Sequence, residues 1–160
     1  MITRVYIDGA NLYQAVRRYA WQFDYRRFFV WLKDKYAIDQ AYIFIGYSQK
    51  YQSMYQYLAS CGYTLIYKEV SFDNEGKIKG NCDADLVVHA MKGYYEKEFG
   101  RLILVSSDGD YASLVAFLKK KGAFLTLVTP YTRFSFLLRK LNIPVVLLEK
   151  LVEKLKKRRV

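Results

Sequence analysis

The sequence predicts an α/β fold, with helices on both faces of a mostly parallel sheet of five to six strands. Three observations carry that prediction. Short β-rich runs alternate with helical stretches along most of the chain, as in successive strand–helix–strand units. The runs AYIFIGY (41–47), RLILVSS (101–107) and AFLTLV (123–128) are apolar almost throughout, which suits strands buried on both sides. The composition, 52% apolar and 18% aromatic over 160 residues, is enough to bury a sizeable core in a single domain spanning 1–160.

Taken in order, ITRVYID (2–8) is the first strand and ends on a carboxylate. Leu12–Tyr19 reads as helix, as does Tyr25–Lys35, where Phe28, Phe29 and Leu32 recur at three- and four-residue spacing. After the second strand (41–47), Tyr51, Tyr55 and Leu58 mark a helix that stops at Gly62. Tyr47, Tyr51 and Tyr55 fall four apart, a spacing that points to a packed helix face rather than to a ladder for stacking bases. YTLIYKEV (63–70) is the third strand, and SFDNEGKIKGN (71–81) is a polar, glycine-punctuated loop or short hairpin arm. Ala84–Glu98 is helical, 101–107 is the fourth strand, and Tyr111–Lys121 is a helix closed by Gly122. The fifth strand (123–128) precedes a short helix, Ser135–Leu141, and PVVLLE (144–149) offers a sixth strand. A basic helix is expected at about 148–160. No internal repeat, low-complexity tract or linker interrupts this pattern.

Lys and Arg total 26 against 15 acids, a formal charge of +11 that favours polyanionic partners, nucleic acid above all. No apolar run approaches the roughly 20 residues of a membrane span. Cys61 and Cys82 lack metal-ligand spacing, and the start MITRVYIDGAN lacks the apolar core of an export signal. These features set the expectation of a reducing, cytoplasmic setting without a membrane partner. There is no G-x-x-x-x-G-K-[ST] loop for a nucleotide triphosphate. Ala10 stands where a D-x-D nucleophile loop starting at Asp8 would need its second acid, which argues against a phosphotransferase.

In parallel α/β sheets, sites form beyond the carboxyl ends of strands, where the strand order reverses. Asp8 ends the first strand, and Asp108 and Asp110 follow the fourth, each beside a glycine that permits a tight turn. Asp83 sits near the start of the helix before the fourth strand, where the helix dipole favours negative charge. Aspartates at such positions also serve as plain turn residues and helix caps. Gathered together, however, they repel unless neutralised, and hard oxygen ligands suit Mg²⁺ or Mn²⁺.

VYIDGANLY (5–13), KGNCDADLV (79–87) and LVSSDGDYASLVAFLKKKG (104–122) together resemble the NYN domain, a branch of the PIN-like nuclease superfamily. The blocks stand in the family's order and at its usual separations. The resemblance implies a PIN-like, Rossmann-like three-layer α/β/α domain that cleaves RNA with Mg²⁺ or Mn²⁺. It implies Asp8, Asp83, Asp108 and Asp110 as the catalytic and metal-holding acids, with Asn11 as polar companion of Asp8. Ser107 stands where the family usually has Gly, and Tyr111 where it has Phe. Many members carry a second acid six residues after the position of Asp83, where this chain has His89. His89 is either a structural residue or a metal or phosphate contact, and Asp85 shares its helix face.

Arg17 and Arg18, Lys77 and Lys79, and Arg133 and Arg139 border the expected site and suit phosphate contacts. Arg17, Lys79, Arg133, Asn11 and Ser135 are the candidate substrate-binding residues; Ser135 also fits a helix N-cap. The expected activity is metal-dependent endoribonuclease cleavage, and the alternative is a non-catalytic RNA-binding or scaffold module on the same fold. Members of the superfamily often dimerise, and a homodimer is among the partners the resemblance allows.

Overall fold

The computed structural model describes residues 1–68, 71–72, 74–76, 78–79 and 82–158, with the side chains of 72, 78 and 79 left outside the description. The elements run β1 (Thr3–Asp8), α1 (Gly9–Val16), α2 (Tyr25–Tyr36), β2 (Gln40–Gly46), α3 (Gln52–Cys61), β3 (Thr64–Lys68), β4 (Ser71–Phe72), β5 (Ile78–Lys79), α4 (Asp83–Tyr95), β6 (Arg101–Val105), α5 (Ala112–Lys120), β7 (Phe124–Thr129), α6 (Phe136–Arg139), β8 (Val145–Leu147) and α7 (Val152–Leu155). Six strands form one sheet in the order β3-β2-β1-β6-β7-β8. Every pair in it is parallel. The chain builds outward from β1 to β3 on one side, then returns to lay β6, β7 and β8 on the other. The order therefore reverses between β1 and β6.

Alternation along the buried strands divides the core into two layers. Val5 and Ile7 point with Ile43, Ile103, Val105 and Val128 to the side covered by α1, α2 and α3. Tyr6 points with Phe44, Leu102, Leu104 and Leu127 to the side where α4 and α5 deliver Leu86, Ala90, Leu114 and Leu118. The result is the expected α/β/α sandwich with the sixth strand in place.

Several boundaries move for local reasons. α1 starts at Gly9, three residues early, because the Asp8 side chain caps it. α4 ends at Tyr95 because Lys97 turns into the left-handed region at φ 58°. The polar arm pairs β4 with β5 antiparallel, the hairpin reading of that segment. The basic helix expected at about 148–160 is a correction. Its described residues, 148–158, form one 3-10 turn (Leu148–Lys150) and the single helical turn α7. Lys156 then pairs antiparallel with Phe23. Arg27 donates to the carbonyls of Lys156 (2.6 Å) and Glu153 (3.2 Å), and Asp24 N–H donates to Leu155 O (2.9 Å). Tertiary partners thus satisfy the backbone that a longer helix would have satisfied internally. Leu155 is fully buried by this arrangement.

Tyr55 and Leu58 pack inward as the spacing predicts, and Ser48 N–H donates to the Tyr55 hydroxyl (3.0 Å). Tyr47 and Tyr51 stay exposed. No helix among the described residues is long and apolar enough to cross a membrane.

Candidate metal centre

β1 delivers Asp8 to the carboxyl edge of the sheet. Its Oδ1 accepts the Asn11 N–H (3.1 Å), so the residue caps α1 as well as facing the site. Capping requires α1 to leave the strand immediately, which brings the backbone of Gly9 against β2. A Cβ at position 9 would lie 2.3 Å from Ile45 Cγ2 and 2.7 Å from the Phe44 carbonyl oxygen. Only glycine fits there.

β6 delivers the second acid through Ser106 and Ser107. Ser106 is fully buried; its hydroxyl accepts the Asp108 N–H (3.1 Å) and reaches Asp8 Oδ2 at 3.5 Å. Asp108 caps the 3-10 turn Gly109–Tyr111, with its Oδ1 accepting the Asp110 N–H (2.9 Å). Asp83, the first residue of α4, enters from the opposite layer. One oxygen from each of Asp8, Asp83 and Asp108 lies within 4.8 Å of the others.

The Tyr111 hydroxyl sits between two of these acids, 3.1 Å from Asp8 Oδ2 and 2.9 Å from Asp83 Oδ1. A phenol has one proton to donate. It can serve only one carboxylate at a time, and the other contact calls for a proton on the acid. The acids' proton affinities agree with that. Burial, reinforced by Asp108, raises the pKa of Asp8, against the lowering effect of the Asn11 N–H and the Tyr111 hydroxyl. Burial is also the largest cause at Asp83, which is pushed up to about 6, with Asp8 and Asp108 adding repulsion. Burial, and then the carboxylates of Asp8 and Asp83, push the Tyr111 hydroxyl up, and burial beside Asp8 takes the Cys82 thiol to about 11. Hard oxygens in this number and spacing fit a divalent cation.

The remaining expected residues are placed as follows. Asp110 is exposed on the outer turn and stands outside the three-acid group. Asp85 turns away to pair with Lys68 (3.5 Å), which leaves Asp83 as the acid that α4 contributes to the group. His89 lies among Tyr6, Tyr42 and Phe44, with ring centroids 5.1–6.0 Å away, and burial lowers its pKa. It is not part of the acidic group. Asn11 spends its amide on the loop after β6: its Oδ1 accepts the Ser107 N–H (3.1 Å) and its Nδ2 donates to Ser107 Oγ (3.0 Å). Ser135 caps α6 through the Leu137 N–H (3.2 Å), and its own N–H donates to the Ser107 carbonyl (3.2 Å). A Cβ at Gly109 would meet Ser135 Oγ at 2.2 Å, so α6 rests directly on the Asp108 turn. Arg17 and Arg133 are exposed, Arg17 with its guanidinium 5.2 Å from the Tyr13 ring centroid. Lys77 and the side chain of Lys79 lie outside the described residues. Sequence reasoning did not find Ser106 or the Tyr111 hydroxyl. The one signal was Tyr111 itself, an oxygen added where the resembling block has phenylalanine.

Fold and site together define a PIN-like α/β domain whose carboxylate centre can take a divalent cation. The chain belongs to the NYN domain family, whose profile matches residues 3–140, and members of that family are generally divalent-metal-dependent nucleases. It is 26% identical over 135 residues to the low amplitude and bright protein LabA of Synechococcus elongatus, a match covering 78% of this chain and 72% of that protein. Its fold is similar to the crystal structure of a protein of unknown function from Vibrio parahaemolyticus, with TM-score 0.75, 22% identity and 91% of each chain covered.

Proposed function

We propose that this protein is an endoribonuclease that hydrolyses RNA phosphodiester bonds with Mg²⁺ or Mn²⁺ held by Asp8, Asp83 and Asp108. The observation that carries the reading is the convergence of three carboxylates from β1, α4 and the loop after β6 on one small volume at the switch point. When bound, the ion supplies Lewis acidity, an activated water and neutralising charge on the phosphodiester. The chain does the rest. Asp8 and Asp108 are held by caps and by Ser106, so their free oxygens keep a fixed direction without reorganisation. Tyr111 fixes the spacing between Asp8 and Asp83. Asp110, on the exposed rim, orients the attacking water and receives its proton. Arg17, Lys79 and Arg133 hold phosphates on either side of the cut, and Asn11 and Ser135 set the loop that faces them. RNA as the substrate is supported by the net charge of +11 and by the family.

The test is cleavage of labelled RNA by purified protein with Mn²⁺ or Mg²⁺, with Asp8→Asn as the control. Replacing an outer-shell partner of a metal site already costs about 10–100-fold, so loss of a direct ligand should lower the rate at least about 100-fold. Equal cleavage by wild type and Asp8→Asn would overturn the assignment.

A further inference from the structure

We propose that the cavity beside Asp8 is a nucleobase subsite, where one unstacked base of single-stranded RNA lies against Tyr13 and Tyr51 while its phosphate reaches the acids. The inference rests on the ribonuclease reading and adds where the base goes.

The cavity has a volume of about 240 Å³ and opens between α1 and the turn leading into α3. That is below the roughly 300–1,000 Å³ typical of sites for larger ligands, and it suits a single heterocycle. Asp8 forms part of its wall, so an occupant adjoins the metal centre. The other walls are nearly all apolar or aromatic, among them Leu12, Met54 and Tyr55. Gly9 and Ala10, the first residues of α1, form part of the wall next to Asp8.

Two features select a base over a generic apolar ligand. Tyr13 and Tyr51 stand edge-to-face, centroids 6.3 Å apart at 65°, and Tyr51 is 37% exposed. Each of these rings carries a cation: Arg17 Cζ is 5.2 Å from the Tyr13 centroid and Lys50 Nζ 5.5 Å from that of Tyr51. Aromatic walls backed by cations are how proteins hold single strands, with rings taking bases and cations the phosphates. A second groove, of about 490 Å³, shares Tyr13 and Tyr25 with the cavity and continues past Arg17, Tyr19 and Trp21. It gives a neighbouring nucleotide a path along the same surface. A base in a duplex cannot enter either space without leaving its stack. The scarcity of polar groups in the cavity means weak discrimination among bases.

Binding of a short fluorescein-labelled oligouridine to the full chain, measured by anisotropy in EDTA, isolates affinity from cleavage. Tyr51→Ala should weaken it about 10-fold, within the range seen for loss of one stacking partner, and Tyr51→Phe should retain it. A strand with an abasic position should lose a similar factor on wild type and little more on Tyr51→Ala. Tyr51 is exposed on a 3-10 turn, so its replacement spares the core; Gln14→Asp, at the exposed rim, gives a second arm by placing a carboxylate where phosphates pass. Unchanged affinity in both Tyr51→Ala and Gln14→Asp, or equal binding of the abasic strand, would overturn the subsite. If wild type then still cuts RNA with Mn²⁺, the ribonuclease reading survives the loss. If base-dependent binding disappears in Tyr51→Ala but no metal supports cleavage, the subsite stands and the ribonuclease reading falls.

Discussion

Tyr111 puts one hydroxyl proton between two acids, and the consequences are testable at the level of single atoms. Its hydrogen bond favours the charged form of whichever acid, Asp8 or Asp83, accepts that proton. Tyr111→Phe should therefore keep the fold, since the ring fills the same space, while raising the pH at which Mn²⁺ affinity reaches half its maximum. Isothermal titration across pH reads this directly, and an unmoved midpoint would mean that the hydroxyl has no hold on the acids. Asp83 itself sits at about 6, above the roughly 3.9 of an unfolded aspartate. Between those values the folded protein binds the proton and the unfolded chain does not. The stabilisation is complete below the unfolded pKa and is lost as pH rises through about 6. Metal-free protein should lose melting temperature over that interval, and Asp83→Asn should flatten the loss. A divalent ion should raise Tm more at pH 7 than at pH 5, because only above the window does it meet an ionised Asp83. Asn11→Ala separates two roles for that residue. If it holds the Ser107–Asp108 loop, metal affinity falls about 10–100-fold. If it only touches RNA, metal affinity stays as it was.

At the level of elements, α1 and β2 meet with no room to spare. Gly9→Ala forces a methyl against the Phe44 carbonyl and Ile45, and overpacking of this kind costs about 1–3 kcal/mol, measurable as a lower urea midpoint. The same close fit explains what could be read in advance. Strand runs ending in Asp8 and Asp108 were legible because buried parallel strands are continuous in apolar residues and their sites lie at one end. Asp83 was named by the resemblance alone, since Asp85 stands two residues away and nothing local says which one Lys68 takes. The hydroxyl of Tyr111 was hidden for a different reason: an aromatic at that place serves the core whether or not it carries oxygen. The segment after β8 misled because Leu151, Leu155 and its lysines keep helical spacing. What stops the helix is Arg27 and the 22–24 backbone, more than a hundred residues earlier, which no local pattern records.

At the level of the whole molecule, the excess of cations sets how binding answers to salt. On single strands each phosphate contact contributes about 0.7 to the slope of log K against log salt concentration. Arg17→Gln and Arg133→Gln should each reduce that slope by about 0.7, with little dependence on RNA sequence; an unchanged slope would place the phosphates elsewhere. The sheet order has a different implication. Asp8 and Ser106 are 98 positions apart in the chain, and they meet only when β6 closes beside β1. Pairings over such distances form slowly, after the local helices have begun to appear. Before that closure the aspartates are scattered and have no place to gather an ion. A half-folded or misfolded copy therefore lacks the assembled acids, and the ability to gather a divalent ion becomes a certificate that folding has been completed.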